Sequence, residues 1–167
     1  SDEILKASKT MEAGAKYINP DIKFTSVMSG SWTDVAKGKE IGISMISTNK
    51  ADVIFSFASG VDAGVREACQ SADNVYFIAQ PSESHDTAPD ITVTSIIQSN
   101  EALIYHAMET AANGTFKGGY YIAGFEDGGT CSLGVFGDFF DADKQAKVND
   151  VINKIKSGEI DCDNYAK

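Results

Sequence analysis

Ala51-Asp52-Val53-Ile54-Phe55, then Ser56-Phe57-Ala58-Ser59-Gly60, then Val61-Asp62-Ala63-Gly64-Val65-Arg66-Glu67-Ala68-Cys69-Gln70 spell strand, turn and helix in that order. Val53, Ile54 and Phe55 form a short unbroken apolar run, the pattern of a strand buried on both faces. Val61, Val65, Ala68, Cys69 and Ala72 recur at three- and four-residue spacing, which places them on one helical stripe. Residues 75–79 give a second apolar run of the same buried kind. Strands alternating with helices predict an α/β fold, with a mostly parallel sheet covered by helices on both faces.

The same alternation extends outward in both directions. Upstream, Ile4, Ser8, Met11, Ala15 and Ile18 mark a helix that Pro20 stops, and residues 22–28 read as a strand. Residues 33–47 read as a helix despite the strand-like alternation of Ile41, Ile43 and Met45, because Ser31 and Asp34 resemble a capping box. Downstream, residues 80–89 are a polar loop and residues 91–97 a further strand. Leu103, Ala107 and Ala111 mark a helix that ends at Asn113-Gly114. Residues 120–123 read as the last strand, and residues 124–137 as a glycine-rich irregular segment. Val148, Val151, Ile152 and Ile155 mark a final helix stopped at Gly158. No repeat or low-complexity linker divides the 167 residues, which read as one unit.

Composition narrows the function. Lysine and arginine number 14 against 24 aspartates and glutamates, for a net charge of −10. That balance disfavours nucleic acid and anionic membranes, which need clustered positive charge. No apolar run approaches the roughly 20 residues of a membrane span. Ser1-Asp2-Glu3 is unlike a secretion signal, so any such segment is expected to have been removed. Cys69, Cys131 and Cys162 show no metal or disulfide spacing, and Cys69 falls on an apolar stripe as a buried structural thiol. His85 and His106 have no metal-ligand spacing either. Without a nucleophile elbow or a reactive cysteine, the sequence offers no catalytic residue, metal site or cofactor motif.

In a parallel sheet ligands sit beyond the carboxyl ends of the strands. That rule selects Ser29-Gly30-Ser31-Trp32-Thr33-Asp34, the turn Phe57-Ala58-Ser59-Gly60, the loop from Gln80 to His85, and Ser95 to Asn100. Trp32 has two readings, as a core side chain or as a flat platform against which a planar ligand stacks. Ser59 and Gly60 are either an ordinary tight turn or a place where backbone approaches a ligand. The Ser/Gly/Thr loop would also suit the phosphate of FMN in a flavodoxin-like redox domain.

With these motifs in view, the chain resembles the basic membrane protein family, the nucleoside-binding lipoproteins of ABC importers. The resemblance rests on Glu12-Ala13-Gly14-Ala15-Lys16-Tyr17, on Gly30-Ser31-Trp32-Thr33-Asp34 with Ala36-Lys37-Gly38-Lys39-Glu40, and on Ala51-Asp52-Val53-Ile54-Phe55. It continues through Gly60, Gly64 and Thr94-Ser95 to Phe116-Lys117-Gly118-Gly119 and the terminal Ser157-Gly158-Glu159-Ile160. It implies a type I periplasmic-binding fold of two lobes, of which this chain resembles only the C-terminal one. Residues 1–167 are then a single α/β lobe, within which about 99–125 would cross to the other lobe. The helix from Asn100 and the strand from Tyr120 must then repack on this sheet or pair with another chain.

The resemblance also implies roles. Trp32 stands where the family stacks a phenylalanine on the base, and Ser59 and Gly60 match the small-residue turn lining the pocket. The family's ribose-binding aspartate falls at Pro81 and its crossover lysine at Gln98, so that Gln80, Ser82 or Glu83 would supply substitute contacts. The expected ligand-binding set is Trp32, Ser59, Gly60, Ser82 and Gln98. The implied partners are a small-molecule solute, an ABC transporter permease and a homodimer of the isolated lobe. The implied location is extracytoplasmic.

Overall fold

A computed structural model describes residues 2–121, 123–125 and 130–164. Its sheet has four strands, β1 (Val53–Phe55), β2 (Tyr76–Ala79), β3 (Thr92–Gln98) and β4 (Cys131–Leu133), in that spatial order. The first three are parallel, with Ile54 opposite Phe77 and Ile78 opposite Thr94. β4 lies antiparallel at the edge, with Ile97 opposite Ser132. The α-helices are α1 (Asp2–Ile18), α2 (Val35–Ser47), α3 (Val61–Gln70), α4 (Asn100–Ala112) and α5 (Ala142–Lys156). The fold is α/β, a mostly parallel open sheet flanked by helices.

The core forms where two periodicities meet. Val61, Val65 and Cys69 share one stripe of α3, while Val75, Phe77 and Ala79 share one face of the extended chain. These six residues and Ile54 form one buried apolar cluster, against which Met45 and Ile46 of α2 also pack. Burial there pushes the Cys69 thiol up to about 11, which keeps it neutral and unreactive.

Helices α2 and α3 touch backbone to backbone, because glycines stand at the contact. A Cβ on Gly64 would overlap the Val35 carbonyl, one on Gly38 the Val61 carbonyl, and one on Gly42 the Ala68 methyl. The start of α2 differs from the expected box. Asp34 is the N-cap, its side chain accepting the Lys37 amide at 2.9 Å, while the Ser31 hydroxyl accepts the amides of Thr33 and Asp34.

Two expected strands are corrected. Residues 22–28 have no ladder partner and are irregular, with Val27 and Met28 exposed. Of residues 120–123, Ile122 lies outside the described residues and the other three are not in a strand. The fourth strand forms instead within the segment read as irregular. β3 runs three residues past its last pairing with β2, at Ser95, and along that stretch its other edge is open to β4, with Ile96 opposite Leu133 and Gln98 opposite Cys131. Residues 126–129 of that segment lie outside the described residues. α4 and α5 have no buried residue, so α4 does not repack on this sheet. Among the described residues no helix is long and apolar enough to cross a membrane.

Gly64→Ala is expected to cost about 1–3 kcal/mol of stability by forcing α2 off α3. Gly14→Ala, in α1 where an added Cβ meets nothing within 4 Å, should instead stabilise by up to about 1 kcal/mol. Urea unfolding of both variants checks the pair, and a Gly64→Ala midpoint equal to the parent's would refute the close contact.

Candidate functional site

Because β1, β2 and β3 run parallel, the loops that follow them gather at one rim of the sheet. The loop before α2 joins them there. Gly60 N–H donates to the Trp32 carbonyl at 2.9 Å, which lays residues 29–34 against the turn after β1. Gly30, at φ +67°, and the Ser29 hydroxyl, donating to the Ser31 carbonyl at 2.7 Å, fold that loop tightly. Trp32 is 53% exposed, so its indole is a rim side chain and not a core one. Ser59 takes a left-handed conformation at φ 57°. A Cβ on Gly60 would stand 3.2 Å from the Trp32 carbonyl oxygen, tighter than ordinary contact.

Behind this turn lies Asp62, buried at 7% exposure in the first turn of α3. Its Oδ1 accepts the Ser56 hydroxyl at 2.5 Å and the Ala58 amide at 2.8 Å. Its Oδ2 accepts the Gln80 carboxamide from 3.5 Å. Gln80 directly follows β2 and so reaches the middle of the rim. The Gln98 amide donates to the Pro81 carbonyl at 2.9 Å, which sets Gln98 and the adjacent Ser82 at the far end. Trp32, Ser59 and Gly60 thus lie together beyond β1, and Ser82 and Gln98 together at the ends of the neighbouring strands β2 and β3. Asp62 and Gln80 stand between the two groups.

Glu83 does not serve as a free contact. Its Oε1 accepts the Ser84 amide at 2.9 Å, the His85 amide at 2.9 Å and the Ser95 hydroxyl at 2.8 Å, and its Oε2 accepts the Val135 amide at 2.7 Å. Burial works against the charge, yet the bonds from His85, Val135, Ser95 and Ser84 outweigh it and hold the carboxyl below its usual range. The carboxylate therefore latches the loop after β2 to β3 and to the segment after β4. Sequence reasoning missed this latch and the reach of Asp62 to Gln80. Asp62 carries the signal of a first-turn acid, but its partner follows a different strand. A groove of about 620 Å³ lies between β4 and α5, lined by Cys131, Leu133, Phe136, Ile152 and Lys156 among others, and Cys131 pairs with Gln98 across β3 and β4.

The family model for PnrA-like ABC transporter substrate-binding proteins matches residues 3–164. Basic membrane protein C of Borreliella burgdorferi is 31% identical over 151 residues, which are 89% of this chain and 43% of that protein. The ABC transporter nucleoside-binding protein BmpA of Lactococcus lactis is 25% identical over 177 residues, covering 96% of this chain and 48% of its own. The crystal structure of a transcriptional activator of the comK gene from Bacillus halodurans aligns with a TM-score of 0.73 at 25% identity, over 84% of this chain and 48% of that one. The chain therefore spans about half the length of the relatives it matches.

The folded Glu83 carboxyl titrates below its ordinary value of 4.5, so its stabilisation is complete above that value and is lost as pH falls through the lowered one. Glu83→Gln is expected to lower the urea midpoint at neutral pH and to flatten the decline in acid. A variant whose midpoint falls in parallel with the parent's across that range would rule out the latch.

Proposed function

The chain belongs to the PnrA-like ABC transporter substrate-binding family, and on that premise we propose that it is one lobe of an extracytoplasmic receptor. The solute is a nucleoside, a nucleobase or a similar small planar molecule, passed to an ABC transporter permease. The observation that carries this reading is the exposed indole of Trp32, fixed by the Gly60 hydrogen bond at the open rim of a parallel sheet. Trp32 stacks on the solute. Ser59, Gly60, Ser82 and Gln98 offer it hydrogen bonds along the rim. The role is binding, without chemistry, and the name of the Lactococcus relative supports the nucleoside class.

We further propose that residues 1–167 form a single lobe and that about 99–125 cross to a second one. Ile104, Tyr105 and Met108 of α4 are 60%, 67% and 67% exposed, and Phe116 and Tyr120 after it are exposed as well. An uncovered apolar face of this size marks a missing contact.

One lobe encloses only part of a ligand, so the isolated chain should bind weakly, with a Kd on the order of millimolar. Trp32 is the only tryptophan, and its emission should be quenched by purine bases or nucleosides. Amide shifts in an NMR titration should fall on residues 30–33, 58–60 and 80–82. Trp32→Ala is expected to weaken binding about tenfold to a hundredfold. Sub-micromolar affinity in a proven monomer would overturn the half-site picture, and an indole indifferent to every purine would overturn stacking. The crossing segment has its own test, since amides of α4 should exchange with deuterium orders of magnitude faster than those of α3. Equal protection of the two helices would contradict it.

A further inference from the structure

Taking the rim as the solute site, we infer that the Asp62–Gln80 pair sets its selectivity: it takes an unribosylated nitrogen heterocycle that donates a ring N–H to Gln80. A carboxylate only accepts hydrogen bonds. Asp62 therefore requires the Gln80 NH₂ to face it, which turns Gln80 Oε1 the other way. That oxygen has no partner among the described residues, and it is not a buried unpartnered atom, so it meets solvent. Gln80 follows the middle strand of the three whose loops build the rim, between the Trp32 group and the Gln98 group. A flat ring lying on the indole is offered there a neutral acceptor for an in-plane donor.

The same rim is poorly equipped for a ribose. Two vicinal hydroxyls are held best by a carboxylate, because charge-assisted bonds are roughly twice as strong as neutral ones. Each nearby carboxylate already has protein donors. Asp62 accepts from Ser56, Ala58 and Gln80, and Glu83 from Ser84, His85, Ser95 and Val135. Asp34 caps α2 through the Lys37 amide. Pro81 has no side-chain acceptor. The other polar side chains assigned to the rim, Ser59, Ser82 and Gln98, are neutral. Ribosylation would thus add hydroxyls whose charged acceptors at the rim already serve protein donors, and it would remove the ring N–H that Gln80 Oε1 is placed to receive.

Three probes separate these effects: purine, whose only N–H is on the ring; 9-methylpurine, which has none; and purine riboside. Quenching of Trp32 in the chain itself, with amide shifts as a second readout, should rank purine about three- to tenfold tighter than the other two. Gln80→Leu should erase that ranking, bringing purine down to the affinity of 9-methylpurine. Asp62→Asn, whose NH₂ must turn toward Gln80 and rotate its carboxamide, should erase it too. Riboside binding as tight as purine, or a ranking that survives Gln80→Leu, would overturn this inference and leave stacking intact. Failure of all three probes to perturb Trp32 would overturn both.

Discussion

The hydrogen bond from Gly60 N–H to the Trp32 carbonyl is the constraint on which the rim depends. It joins two loops that are distant in sequence, one leading into α2 and one leading into α3. The bond exists because those helices lie in backbone contact, and that contact exists because residues 38, 42 and 64 are glycines. Side chains at those positions would hold α2 away from α3 and carry Trp32 away from Gly60. Helix packing thus sets the position of an indole that itself takes no part in the core.

Buried and latched carboxylates play a second organising role. Asp62 gathers the turn after β1 and the residue after β2 about one charge, and Glu83 does the same for the loop after β2, β3 and the segment after β4. Each satisfies backbone amides that the irregular chain would otherwise leave without partners. The cost is that neither acid is available to a ligand. Acidic residues at the rim therefore create shape, while on the proposed reading the groups that face a solute are an aromatic ring, hydroxyls and carboxamides.

The part of the fold that was legible in sequence is the part whose contacts are close in sequence. β1, α3 and β2 follow one another directly, so their apolar stripes meet with little help from elsewhere, and Gly60 falls in a loop that a parallel sheet must bring to its rim, where its hydrogen bond holds Trp32. Residues 22–28 were misread because alternation supplies a face but not a neighbour. β4 was missed for the converse reason: Cys131-Ser132-Leu133 has little strand character of its own, and pairing along the open edge of β3 determines its conformation. The Asp62–Gln80 contact was hidden because it depends on β1 and β2 lying side by side.

The uneven distribution of burial has a physical meaning of its own. The stripe of α3 is removed from water almost completely, whereas α4, also rich in apolar residues, buries none. Fully burying a side chain the size of leucine, isoleucine or methionine is worth roughly 1.5–3 kcal/mol. Leu103, Ile104, Tyr105 and Met108 together therefore represent several kcal/mol of unused association energy on one helix. On the proposed two-lobe reading, that energy joins the lobes through the same segment that links them, immediately after Gln98. Strand β3 would then connect the ligand rim and the lobe junction within a single rigid element.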